Sequence, residues 1–137
     1  MALLKELKLI GNFKKFYYIL LVLFSSLFLR IFLTIFGFGN LIILIRTLSS
    51  KTSLLKADKL VLAKSYEKYT KYIPFCSCLV KASAYKLIMS DHHEIELNIG
   101  ISNEKKDFKS HAWIKHKDKV ILNNINNIDK YKIIFKI

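Results

Sequence analysis

The sequence predicts an α+β protein in which helices come first and an antiparallel sheet follows. Three observations carry that expectation. Residues 16–45, "FYYILLVLFSSLFLRIFLTIFGFGNLIILI", form a nearly unbroken apolar run. Residues 57–89 repeat apolar side chains at helical spacing, and from Glu94 onward apolar and polar residues alternate between short polar turns. At 137 residues the chain suits one domain with a real hydrophobic core. Within it, 1–50 reads as an apolar helical N-terminal region and 51–137 as the core that bears the chemistry.

The N-terminal run holds a single charge, Arg30, with 14 uncharged residues before it and 15 after it. Each half is shorter than the ~18 apolar residues of a membrane span. "GFGN" at 37–40 supplies flexible backbone. The expectation is a helix from about Asn12 to Phe36, a bend at the glycines, and a short helix to about Leu48, packed on nearly all sides. The competing reading is a helix lying on or in a bilayer, with Lys14, Lys15, Tyr17 and Tyr18 at the interface. A signal peptide fits less well, because the apolar run is too long and no small-residue cleavage site follows it.

After the polar joint "SSKTSLLKADKL", Leu60, Leu62, Ala63, Tyr66 and Tyr69 recur at helical spacing over 57–72, and Pro74 is expected to stop that helix. Residues 78–89, "CLVKASAYKLIM", are rich in helix formers. "EIELNIGIS" alternates and sets Ile95, Leu97, Ile99 and Ile101 on one face of a strand. Further strands are expected over about 109–115 and 119–123, and a fourth at "YKIIFKI". His92, His93 and His116 read as surface residues in or beside turns.

The net charge of +13 raises nucleic acid and anionic lipid as partners. Of the 23 basic residues only Arg30 and Arg46 are arginines, however, and base or phosphate recognition favours the guanidinium fork. Residues 51–137 intersperse 17 basic with 9 acidic side chains, which reads as a solvated lysine-rich surface, with an acidic peptide or partner as the second reading. No nucleic-acid partner is expected. Cys76 and Cys78 stand one residue apart, a poor disulfide geometry, and are too few for a zinc site without histidines at ligand spacing. Free thiols, a reducing cytoplasmic setting, and no metal or cofactor follow.

Cys78 opens a helix, with Ser77 or Cys76 near the cap. Unpaired N–H groups and the helix dipole favour a thiolate there, and the same N–H groups can hold an oxyanion. The plainer reading is a small buried apolar residue, the commonest role of a free cysteine. In "SHAWIKHKDKVILNN", His111 and Trp113 share a strand face. A turn centred on Lys117 places His111 opposite Asn123, and a two-residue turn at Lys117 and Asp118 places it opposite Asn124. Either asparagine carboxamide could then orient the imidazole, as in a Cys–His–Asn group. A polar strand end in an asparagine-rich stretch is the alternative.

"CLVKASAYKLIM", "ELNIGIS" and "HAWIKHKDKVILNN", within residues 57–124, together resemble the transglutaminase-like cysteine peptidase domain of lasso-peptide biosynthesis B proteins. "LRIFLTIFGFGNLIILI" more loosely resembles the apolar helices that precede that domain. The resemblance implies a papain/transglutaminase-like core, with the cysteine at a helix N-terminus packed on an antiparallel sheet. It implies Cys78 as nucleophile, His111 as general base, and Asn123 as third member where the family usually has aspartate. Backbone N–H groups from Ser77 to Leu79 would hold the oxyanion. The implied function is a leader peptidase that acts on a ribosomally made precursor peptide. The chain resembles the split form, which works with a separate leader-recognition protein and a lasso cyclase. The same residues would serve an acyl transferase. A reading from another class is a non-catalytic membrane-associated protein working through its apolar N-terminus. Peripheral membrane contact is compatible with both.

Overall fold

The computed structural model describes residues 2–49, 58–73, 76–89, 94–104, 107–125 and 128–137. Helix α1 runs from Ala2 to Ser49 and is broken only at Gly37, whose φ of 81° and ψ of 175° are open to glycine and strained for other residues. The bend therefore falls where the glycines predict it. The helix starts well before Asn12 because "ALLKELKLI" consists of good helix formers. Packing on nearly all sides is not what the structure shows. One face, with Val22, Ser26 and Leu29, is buried, while Phe13, Phe24 and Ile35 on the other are more than half exposed. The rest of the chain is too small to wrap a helix of this length, so it covers one side.

Helix α2 (Lys59–Tyr69) begins at Asp58, whose Oδ1 accepts from the Leu60 and Val61 N–H groups at 3.0 and 3.1 Å. It tightens into a 3₁₀ turn over Thr70–Tyr72, with the Thr70 hydroxyl donating back to the Tyr66 carbonyl. Pro74, the expected stop, lies outside the described residues, as do His92 and His93. Helix α3 (Cys78–Ile88) starts at the expected residue. Tyr66 locks the three helices together. Its ring meets that of Tyr85 at 6.0 Å, and its hydroxyl hydrogen-bonds with that of Ser25 on α1. Tyr85 donates to the Lys59 carbonyl at 2.7 Å. Burial pushes the titration of both phenols well up.

Strands β1 (Ile95–Glu104), β2 (Asp107–His116), β3 (Lys119–Leu122) and β4 (Lys132–Lys136) form one antiparallel sheet in the order β3-β2-β1-β4. Ile95, Leu97 and Ile99 of β1 and Ala112 and Ile114 of β2 join Leu41, Leu62 and Tyr85 in the core between sheet and helices. Lys86 of α3 is buried beside them and donates through Nζ to the Ile95 carbonyl, with burial pulling its titration down. The architecture is α+β, as the pattern of elements predicts.

At its tip the hairpin takes the second of the two expected registers, and it departs from that register only beyond Lys115. Lys117, with φ of 56°, and Asp118 make a two-residue turn, and Lys115 pairs with Val120. The register then shifts so that Ile114 pairs with Leu122, which leaves Ile121 as the extra residue of a bulge. His111 therefore gains no direct partner at 123 or 124 from the ladder. His116 sits beside that turn, as expected, but is half-buried rather than at the open surface. Its Nε2 lies 3.1 Å from both Lys59 Nζ and Glu94 Oε2, and that contact, with the charge of Lys117, holds the Glu94 carboxyl below its usual range.

Candidate active site

Ser77 caps α3. Its backbone is extended, and its Oγ accepts from the Val80 N–H at 3.3 Å. That cap makes Cys78 the first helical residue, so the N–H groups of Cys78 and Leu79 have no acceptor within the helix. They can face a developing negative charge beside the thiol, and Ser77 itself stands outside the helix as the cap.

Cys76 and Cys78 occupy different surroundings. Cys76 is half-buried against α1, where burial pushes its thiol up, with the Ser26 side chain and the Lys81 charge acting the other way. Cys78 lines a cavity of about 290 Å³ whose walls include His111, Leu79, Ile99, Ser110 and Phe38. The structure thus brings the predicted nucleophile and base to one cavity and sets the second cysteine apart from it.

His111 is held from two sides. Its ring stacks on Trp113 at 5.9 Å and 18°, and Tyr131 closes on it at 5.7 Å. Trp113 can lie there because Gly100, the β1 partner of His111, leaves room for the indole ring. A Cβ at that position would stand 2.9 Å from Trp113 Cη2 and 3.1 Å from the Lys132 carbonyl oxygen. The second restraint is a hydrogen bond of 2.7 Å from His111 Nε2 to the main-chain oxygen of Asn123. A carbonyl only accepts, so Nε2 carries the proton. In the neutral ring Nδ1 then holds the lone pair and is the nitrogen that can act as base.

The expected carboxamide contact is therefore replaced by a main-chain one. Asn123 follows the end of β3 with φ of 60°, a left-handed conformation that asparagine tolerates better than most residues. That turn aims its carbonyl at His111 and its side chain inward. Nδ2 donates to the Cys78 and Ala112 carbonyl oxygens, each at 3.0 Å. Asn123 thus ties the first residue of α3 to the residue after His111. Asn124, the alternative third member, is exposed.

Sequence reasoning missed Glu67. Its Oε1 accepts from the Asn123 N–H at 2.8 Å, and its Oε2 faces Lys81 Nζ at 3.3 Å. Glu67 is the one acidic side chain in α2, a faint signal in a helix with three lysines and two tyrosines. Its partner is 56 residues away, a tertiary contact that helical spacing does not encode.

The described residues contain no group of three or more His, Cys, Asp or Glu side chains able to hold a metal ion. The arrangement suits covalent acyl chemistry: a thiol at a helix N-terminus, an imidazole with a fixed tautomer, and unpaired N–H groups nearby. Comparisons with curated proteins and with solved structures gave no match. A profile of the transglutaminase-like superfamily matches residues 27–136, from the middle of α1 through β4 and across both Cys78 and His111. The chain belongs to the transglutaminase-like superfamily.

Proposed function

We propose that the protein is a cysteine peptidase that removes the leader from a ribosomally made, lasso-type precursor peptide. The observation that carries the reading is the shared cavity of Cys78 and His111, with His111 Nε2 bound to the Asn123 carbonyl. His111 Nδ1 takes the thiol proton, and Cys78 Sγ attacks the scissile carbonyl carbon. The oxyanion faces the N–H groups of Cys78 and Leu79. The imidazolium then protonates the leaving amine, and the S-acyl intermediate remains. Water, deprotonated by His111, hydrolyses it and regenerates the thiol. The apolar walls Leu79, Ile99 and Phe38 suit an apolar side chain next to the scissile bond.

A separate leader-recognition protein would deliver the precursor, and a lasso cyclase would use the newly exposed amine. The test incubates the protein with precursor and recognition partner and follows leader release by mass spectrometry. Cys78→Ala abolishes release, and Cys76→Ala leaves it. Cleavage by Cys78→Ala but not by Cys76→Ala would overturn the assignment. Superfamily membership equally accommodates acyl transfer to an amine. Adding a free primary amine discriminates the two, since a peptidase gives the carboxylic acid and a transferase the amide.

A further inference from the structure

We propose that α1 is an in-plane membrane helix, with its outer face in the acyl region of an anionic bilayer and a lysine pocket at its N-terminal end on the lipid phosphates. This inference is independent of the peptidase reading.

Two faces of one helix lead to it. Gly11–Leu48 is long and apolar enough to cross a membrane. Yet the inner face, from Tyr18 through Val22 and Leu29 to Ile45, is packed into the core with α2, α3 and the sheet. A crossing orientation would drag those polar elements into hydrocarbon, where their loops and sheet edge have no place. The outer face carries Phe13, Phe16, Phe24, Phe28, Ile31 and Ile35, each half exposed or more. At 1.5 Å per residue that stripe is about 33 Å long. The chain can satisfy both faces only by lying flat, stripe down and domain up.

Two adjoining cavities indicate lipid rather than protein as the occupant. One, of about 700 Å³, lies between α1 and α2 and is walled by Lys14, Lys15, Lys68, Tyr18, Tyr69 and Asp58. The Asp58 carboxylate already serves as the α2 cap, so three ammonium groups dominate the cavity. The other, of about 430 Å³, continues along α1 toward α3 and is walled by Leu20, Leu21, Phe24, Phe28 and Ile88. Tyr17 is a wall of both. A cationic pocket that shares a wall with an apolar groove fits an amphiphile with an anionic head. The net charge of +13 favours the same surface.

The test synthesises the full chain cell-free with vesicles of phosphatidylcholine, alone or mixed with phosphatidylglycerol, and reads flotation. The protein floats with the mixed vesicles and much less with phosphatidylcholine alone. Lys14→Ala and Lys15→Ala each weaken binding roughly fivefold. Phe24→Ser with Phe28→Ser abolishes it, while circular dichroism and Trp113 fluorescence report an intact fold. Single cysteines from Lys8→Cys or Thr47→Cys, in a chain with Cys76→Ser and Cys78→Ser, are both labelled by an impermeant maleimide outside sealed vesicles. Labelling at only one end would mean a span and overturn the proposal. So would equal binding to both vesicles, or a soluble dimer that ignores them.

Discussion

Replacing Asn123 by aspartate restores the residue usual at this place in the resembled family, and the structure says it should do harm. Asn123 is 8% exposed, and its Nδ2 donates to two carbonyl oxygens at 3.0 Å. A carboxylate there loses both donors and sets negative charge against two acceptors. Losing two neutral hydrogen bonds costs about 2 kcal/mol, and the buried mismatch adds at least another, for about 3 kcal/mol at neutral pH. With a urea slope of ~1.5 kcal/mol per molar, the unfolding midpoint falls by about 2 M. The new carboxyl regains one donor when protonated, so its folded pKa rises above the unfolded value. The folded variant then holds a proton that the unfolded chain has released, and its deficit shrinks as pH falls through that raised value. Urea unfolding at neutral and mildly acidic pH measures both effects, and alkylation of Cys78 reports the site. An Asn123→Asp protein as stable as the parent at neutral pH, with a faster thiol, would refute the reasoning. It would mean that the 123 side chain orients His111 after all.

Glu67→Ala orphans the Asn123 N–H and costs about 1–3 kcal/mol. Glu67→Gln keeps an acceptor and loses only a pair whose carboxylate side is 45% exposed, worth below ~1 kcal/mol; equal losses in the two variants would count against the contact. Gly100→Ala forces Trp113 off β1 at a cost of about 1–3 kcal/mol, and the fluorescence of this only tryptophan shifts; an unchanged spectrum would contradict the close approach. Iodoacetamide should modify Cys78 before Cys76, because burial both shields the Cys76 thiol and pushes its titration up; peptide mapping reads the order. Stability should fall above about pH 10. Tyr66 and Tyr85 keep their protons in the fold after the unfolded chain loses them, so tyrosinate absorbance and unfolding should rise together.

The parts of the fold that were legible in the sequence are those set by local chemistry. The Ser77 hydroxyl and the helix formers after it fix the start of α3 at Cys78, and the isoleucine alternation of β1 fixes which face is buried. What escaped depends on single residues or on distant partners. Asp58 sat unnoticed in a polar joint although it caps α2. One extra residue, Ile121, moved the hairpin register, and nothing in "KVILNN" distinguishes a bulged strand from a regular one. The one-sided burial of α1 was hidden for the opposite reason. An apolar helix with one face left exposed can have the same composition as one buried all round.

The site illustrates the limit more sharply. A search for a third catalytic member looks for a side chain, and the one it finds at Asn123 is doing something else. The group that fixes the His111 tautomer is a main-chain carbonyl, which every residue type carries. What the sequence must supply at 123 is a residue able to hold φ of 60° and to bridge two carbonyls 34 residues apart in the chain, from Cys78 to Ala112. Asparagine meets both demands, and aspartate meets only the first. The orienting function is thus separable from charge. The carbonyl directs the proton, while a carboxylate, Glu67, acts one step back by holding the Asn123 N–H. In the proposed mechanism the His111 imidazolium therefore has no full negative charge from a third member beside it, and the N-terminus of α3 acts on the other half of the pair by stabilising the Cys78 thiolate.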